Sequence, residues 1–306
     1  MTPSAVAAID CGTNSTRLLV ADGTGRELVR LMRITRLGQG VDRANALAPD
    51  AIARTVGVLE EFRRSIDAFE VGRIRMVATS AVRDAENGAA FSEAARAAVG
   101  VDPEVLSGTE EGALAYRGAG ADLDPFEGDT LVVDIGGGST EITLGRAGSV
   151  SSVSLQLGCV RLTERFLNGD PPTLAEVSAT RTAIADALIG GEGTLPELVE
   201  LDPARRLVGL AGTVSTLASL KLGLAEYDEE KLHHTAITLE EIRGMCDMLA
   251  SLSSRDRSGL VGMVPGREDV ILGGALVLEA VADRYRCGEV IASEKDILDG
   301  IVLSLL

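Results

Sequence analysis

The chain has 306 residues, 45% of them hydrophobic, 3% aromatic, and a net charge of −17. That length allows one large or two ordinary domains, and the apolar content excludes a disordered chain. The acidity and scarce aromatics exclude a nucleic-acid partner, which needs a basic face or stacking rings, and no apolar run approaches the roughly 18 residues of a membrane helix. In chain order, Ala5–Ile9 and Arg17–Ala21 read as short apolar strands joined by a turn, and Glu27–Arg36 as a third strand. Ile52, Val56, Leu59, Phe62, Ile66 and Phe69 recur at helical spacing. Arg73–Thr79 predicts a strand, Asn87–Val99 a helix, Glu104–Leu106 a short strand, and a helix starts near Thr109. Leu123–Gly128, with Pro125 and Gly128, is the linker candidate, which sets expected domains at 1–123 and 124–306. The second half then predicts strands at Thr130–Val133, Glu141–Leu144 and Val150–Leu157, and helices near Val160–Phe166 and Thr173–Ile189. A strand at Leu207–Leu210 and a helix at Thr213–Leu222 follow. The remainder reads as mostly helical, with a last strand at Glu289–Ala292.

The two halves share a signature. Asp10, Gly12, Ser15 and Thr16 recur, without gaps, as Asp134, Gly136, Ser139 and Thr140, each time between two predicted strands. This predicts a duplicated α/β domain. A Gly/Ser/Thr-rich hairpin can aim successive backbone N–H groups into one concavity, where a phosphate fits. Thr13, Asn14 and Ser15 in one loop, and Gly137, Gly138, Ser139 and Thr140 in the other, are the candidate phosphate contacts. Two such loops facing each other across a cleft would clamp a phosphate chain. Neither matches the G-x-x-x-x-G-K-[ST] P-loop or a G-x-G-x-x-G turn opening a helix. Asp10 and Asp134 each end an apolar strand, where a carboxylate can hold Mg²⁺ directly or through water. Glu141 stands where the first copy has Arg17, which suggests a carboxylate toward metal or water in one loop and a cation toward phosphate in the other. Arg26, Arg30, Arg33, Arg36 and Arg43 form a local basic strip that a polyanion would prefer.

Further segments carry a resemblance. With Ile9–Ser15 and Val133–Glu141 come Ala78–Asn87, Leu106–Gly112, Leu157–Leu162 and Gly209–Thr213. Together, in this order, they resemble the exopolyphosphatase/guanosine pentaphosphate phosphohydrolase family, of the actin-like ATPase superfamily, over essentially the whole chain. The resemblance implies two ribonuclease H-like domains around a cleft and Mg²⁺-dependent hydrolysis of a terminal phosphoanhydride, with Mn²⁺ as an alternative metal. It implies a glutamate just after the Ser-Gly motif as general base. Ser107-x-x-Glu110 has capping-box spacing, which leaves Glu111 for that role. Arg17, Arg83 and Arg267 fall at family positions linked to anion binding, and Gly212, in the Gly209–Thr213 motif, is a further candidate phosphate contact. The segment Asp296–Gly300 departs from the family's usual Gly-Leu-Arg-Glu-Gly, which weakens any substrate contact carried over from it; the last helix, 296–306, is expected to fold back on the first domain. The chain resembles the short, two-domain form, without the added helical domain of longer members.

The favoured activity is release of terminal phosphate from inorganic polyphosphate, short chains preferred. Guanosine pentaphosphate, a stringent-response nucleotide, is the alternative substrate, and a non-catalytic sensor of the same ligands is the second alternative. His233 and His234, the only histidines, read as structural. Four cysteines without a C-x-x-C pair and no visible signal peptide fit a cytoplasmic protein, and a homodimer is compatible with the sequence.

Overall fold

The computed structural model describes residues 4–306. Contacts divide the chain into two units, one running to Ala121 and including Asp296–Leu306, the other spanning Asp122–Lys295. The first unit contains β1 (Ala5–Cys11), β2 (Ser15–Ala21), β3 (Glu27–Ile34), α1 (Val41–Ala44), α2 (Pro49–Asp67), β4 (Val71–Ala78), α3 (Ser80–Arg83), α4 (Gly88–Val99), β5 (Pro103–Val105) and α5 (Gly108–Ala119). The second contains β6 (Asp129–Ile135), β7 (Thr140–Arg146), β8 (Ser149–Leu155), α6 (Cys159–Phe166), α7 (Leu174–Thr194), β9 (Arg205–Leu210), α8 (Ala211–Leu222) and α9 (Glu229–Leu232). It continues with β10 (Ala236–Thr238), α10 (Leu239–Ser251), α11 (Ser254–Ser258), α12 (Ile271–Arg284) and β11 (Glu289–Ala292), and the final α13 (Ile297–Leu305) returns to the first unit.

The first sheet runs β3-β2-β1-β4-β5. Its first three strands form an antiparallel meander, and β4 and β5 add in parallel. The second runs β10-β11-β9-β6-β7-β8, so apart from β10 it repeats the same order and the same parallel and antiparallel pairings. This is the duplicated ribonuclease H-like, actin-like architecture, and the repeat seen in the sequence is a repeat of topology. Both central strands, β1 and β6, are apolar and buried because helices cover the sheet. On α2, Leu59, Phe62 and Ile66 are buried, as their spacing predicts, and Pro49 with Asp50 starts the helix. Ile271–Leu278, the longest apolar run, is buried on α12.

Three details differ from the expectations. The four-residue α3 and the three-residue edge strand β10 are too short to show a period. Helix α7 continues past Ile189 to Thr194 despite three glycines, one of which, Gly191, lies against Leu155, where a Cβ would come within 2.7 Å of its side chain.

Candidate active site

In the first unit, β1 delivers Asp10 to the sheet's end and the chain turns tightly, the Gly12 N–H donating to the Ser15 carbonyl at 3.0 Å. The loop is braced from outside. The Thr35 and Arg36 N–H groups donate to the Asn14 carbonyl at 3.0 and 2.9 Å, the Gly38 N–H donates to the Thr13 carbonyl at 2.9 Å, and the Thr13 and Ser80 hydroxyls lie 2.9 Å apart. Among the described residues no acceptor takes the Thr13 and Asn14 N–H groups, and the buried Asn14 side-chain amide nitrogen also lacks a partner. Buried polar groups are ordinarily hydrogen-bonded, and a run of loop donors such as this has the form of an anion-binding nest.

The second unit repeats the device. The Gly136 N–H donates to the Ser139 carbonyl at 3.0 Å. Here the loop's carbonyls are spent on the start of α6: those of Gly136 and Gly137 accept from Cys159, Val160 and Arg161 N–H groups at 3.0–3.1 Å, and Gly138's accepts from Arg161 Nε at 2.7 Å. Orphan donors of α6 are thereby satisfied, while no acceptor among the described residues takes the Gly137 and Gly138 N–H groups. The fit is so close that a Cβ on Gly158 would lie 2.0 Å from the Gly137 oxygen. Gly158 and Arg161 therefore shape the loop; both lie in a recognised motif, but nothing local in the sequence assigns them that task. One expectation is corrected. Thr140 is fully buried and its hydroxyl donates to the Leu157 carbonyl, so it closes the hairpin rather than offering a donor to a ligand. Its repeat partner Thr16 is likewise buried against Thr35.

The acids fall at matched positions. Asp10 pairs in register with Arg17, and Asp134 with Glu141. Arg17 Nη2 and Nε donate to Asp10 Oδ2 at 2.7 and 3.1 Å, and Arg17 Nη1 donates to Asp296 Oδ2. Asp10 is 4% exposed, and burial pushes its carboxyl above the usual range although Arg17 opposes the shift. Its other oxygen, Oδ1, is buried with no partner. A buried carboxylate oxygen without a donor suits a cation or its bound water. Glu141 is 1% exposed, and the Ser154 hydroxyl donates to its Oε1 at 2.7 Å. Nothing in the sequence marks Ser154, and Asp296 stands out there only as the start of the divergent segment; its contact with Arg17 spans 279 positions, beyond any local pattern.

Glu111 and Arg83 meet in the first unit. Arg83 Nη1 donates to the Leu106 carbonyl at 2.8 Å and to Glu111 Oε2 at 3.3 Å. Glu111 is buried on the first turn of α5, whereas Glu110 is exposed and completes the capping box with Ser107, whose hydrogen bonds hold its carboxyl below the usual range. In the second unit α8 starts without a side-chain cap, and the Arg267 guanidinium lies against Gly212; a Cβ there would fall 1.8 Å from Arg267 Cζ.

Three of the five arginines of the basic strip are already paired: Arg26 with Asp22 at 3.1 Å, Arg30 with Glu27 and Asp299 at 2.8 Å each, and Arg33 with Glu61 at 2.5 Å. His233 and His234 stack at 3.8 Å and, with Asp122, bring three possible metal-ligand atoms within 4.8 Å of one another. The Glu294 N–H donates to His233 Nδ1 at 3.1 Å, so the neutral ring carries its proton on Nε2, which lies 2.9 Å from Asp122 Oδ2. That tautomer occupies the nitrogen a metal would need, and the pair acts as a hydrogen-bonded clasp.

A family model described as the Ppx/GppA phosphatase family matches residues 19–306. The chain is 45% identical to exopolyphosphatase 2 of Mycobacterium tuberculosis, over 98% of each chain. The crystal structure of an Aquifex aeolicus Ppx/GppA family member is similar, with 34% identity, TM-score 0.80, and 99% and 97% of the two chains covered. An exopolyphosphatase structure from Cytophaga hutchinsonii is similar at 25% identity, with TM-score 0.88 and 98% and 97% covered. With a family match over nearly its whole length and 45% identity to a relative over 98% of both chains, the chain belongs to the Ppx/GppA phosphatase family.

Proposed function

We propose that this protein is an exopolyphosphatase that hydrolyses the terminal phosphoanhydride of inorganic polyphosphate. The observation that carries the reading is the duplicated turn, in which Gly12-to-Ser15 and Gly136-to-Ser139 bonds of equal length leave loop N–H groups for an anion beside a buried Asp in each unit. Similarity to a protein named exopolyphosphatase 2 supports it. In this reading the N–H groups of Thr13, Asn14, Gly137 and Gly138, with Ser15 and Ser139, hold phosphate oxygens. Arg267, seated at Gly212, and Arg83 add cationic contacts.

Asp10, Asp134 and Glu141 are the acids proposed to hold Mg²⁺, or Mn²⁺ in its place. The orphaned Asp10 Oδ1 is the structural sign that a cation fits. Bound there, the metal would neutralise charge developing on the phosphoryl oxygens. Glu111 takes the proton of the attacking water on its carboxylate. Water oxygen bonds to the terminal phosphorus as the bridging P–O bond breaks, and the shortened chain leaves as the anion. Arg83 orients Glu111. Arg17, engaged by Asp10 and Asp296, serves the first loop by fixing Asp10.

Short chains are the preferred substrate in this reading. Three of the strip's five arginines are already paired, and the chain carries −17, so internal phosphates of a long polymer gain little binding. The same reading places the enzyme in the cytoplasm, where its four buried thiols stay reduced, with neither nucleic acid nor membrane as partner. A homodimer is the assembly that light scattering would test. The deciding experiment measures phosphate release from tripolyphosphate, long polyphosphate, guanosine pentaphosphate and ATP, with and without a chelator. Faster turnover of guanosine pentaphosphate than of either polyphosphate would make the nucleotide the substrate. Full activity in excess chelator would remove the metal from the mechanism.

A further inference from the structure

Helix α13 ends the chain, yet its first residues reach the catalytic strands of the first unit. Asp296 caps it, Oδ1 accepting from the Leu298 N–H at 2.9 Å, while the Asp296 N–H donates to Asp299 Oδ2 at 3.0 Å. Asp299 is gripped in turn by Arg30 of β3 at 2.8 and 3.0 Å. Backbone also packs on backbone: a Cβ on Gly118 of α5 would lie 1.8 Å from the Asp296 oxygen, and one on Gly300 would lie 2.0 Å from the Leu114 oxygen. Asp296 is thus a rigid, 6%-exposed carboxylate bolted to α5, the helix that carries Glu111.

What it does there follows from how Arg17 bonds. An arginine facing one carboxylate alone prefers two parallel bonds, one to each oxygen. Arg17 does not do this with Asp10: Nε and Nη2 both go to Oδ2, Nη1 is drawn to Asp296, and Asp10 Oδ1 is left buried without a donor. We propose that Asp296 is a positioning residue which, by sharing Arg17, holds the guanidinium off Asp10 Oδ1 and keeps that oxygen available to the catalytic cation. The inference rests on the functional reading above. It gives the segment that departs from the family pattern a task in this chain. The second unit needs no counterpart, since the position matching Arg17 holds Glu141.

The test is a double-mutant cycle on the full chain. Asp296→Asn keeps a good helix cap but loses the charge. Mn²⁺ affinity is read by electron paramagnetic resonance, alongside kcat and KM for tripolyphosphate and the melting temperature. The expected result is an Mn²⁺ Kd raised about tenfold, the range typical when a partner of a ligating group is removed, with kcat reduced, KM changed less and melting little altered. In an Arg17→Gln background, Asp296→Asn should have no further effect on the Kd, because its action passes through Arg17. A tenfold loss that persists in that background would mean that Asp296 acts by its own charge and would overturn the proposal, as would an unchanged Kd in the single variant. A wild-type chain that binds no Mn²⁺ overturns the metal assignment first, and the inference with it.

Discussion

Gly212 offers a way to move Arg267 without touching it. A Cβ at position 212 would sit 1.8 Å from Arg267 Cζ and Nη2 and 2.1 Å from Nη1, far inside contact distance. The clash is with the end of a flexible side chain, so Gly212→Ala is relieved by rotating Arg267 away, and the helix position itself favours Ala over Gly. Folding stability should therefore change by less than about 1 kcal/mol. Function should not escape. If Arg267 binds a phosphate, the displaced guanidinium forfeits a charge-assisted hydrogen bond worth about 1.5–3 kcal/mol. At about 1.4 kcal/mol per factor of ten, that is a drop of about 10–100-fold in kcat/KM. Phosphate release and urea denaturation on the same preparations give both numbers. Unchanged kcat/KM would refute the role given to Arg267. A large loss of stability would show instead that Arg267 is a structural strut. Gly158→Ala is the contrasting control, because its Cβ would fall 2.0–2.3 Å from the rigid backbone of Gly137 and Gly138. There the fold must yield, by about 1–3 kcal/mol.

Three further outcomes are expected. Glu111→Ala should lower kcat by about 10²–10⁴-fold, as loss of a general base does, with tripolyphosphate binding retained by calorimetry, while Glu110→Ala should keep its activity and only lower the melting temperature through loss of the capping box. The reverse pattern would exchange their roles. Asp129 is buried at the start of β6, with Arg146 at 2.8 and 2.6 Å and the Asp202 N–H at 2.6 Å, and Arg146 holds its carboxyl below the usual range. A depressed carboxyl stabilises the fold above its unfolded value of about 3.9 and loses that contribution as pH falls through the native value. Asp129→Asn should therefore cost about 1–3 kcal/mol at pH 7, and the gap to wild type should shrink below about pH 4; a gap constant from pH 7 to pH 3 would contradict this. His233→Ala leaves the Glu294 N–H and Asp122 without their shared partner and should speed amide exchange at Glu294, whereas unaltered exchange would argue against the clasp.

Much of this fold was legible because its strands obey short-range rules. β1, β2 and β6 are apolar runs closed by turn residues, and the repeated Asp, Gly, Ser and Thr needed only comparison of the chain with itself. The capping box at Ser107 separates Glu110 from Glu111 in the sequence itself, since its spacing alone occupies one acid. Long-range pairing was illegible. The arginines of β3 read as a positive strip because their partners, Asp299 and Glu61, lie 269 and 28 residues away. Thr140 read as a donor to ligand because nothing at its own position announces the Leu157 carbonyl.

The two copies of the hairpin also show why one topology can do unequal work. Residues directly opposite on antiparallel strands have Cβ atoms about 4.5–5.5 Å apart, and like charges there are destabilising. The first unit obeys this rule, with Asp10 opposite Arg17. The second breaks it, with Asp134 opposite Glu141, and both acids are buried, at 7% and 1% exposure. The Ser154 hydroxyl meets one oxygen of Glu141 but brings no positive charge. Two carboxylates brought together under cover require compensation from their surroundings. In the first unit that compensation comes from a single arginine shared between two acids. Duplication supplied two turns of one geometry, and one position, arginine in one copy and glutamate in the other, gives the buried aspartate of each turn a different neighbour: a cation in the first, a second acid in the second.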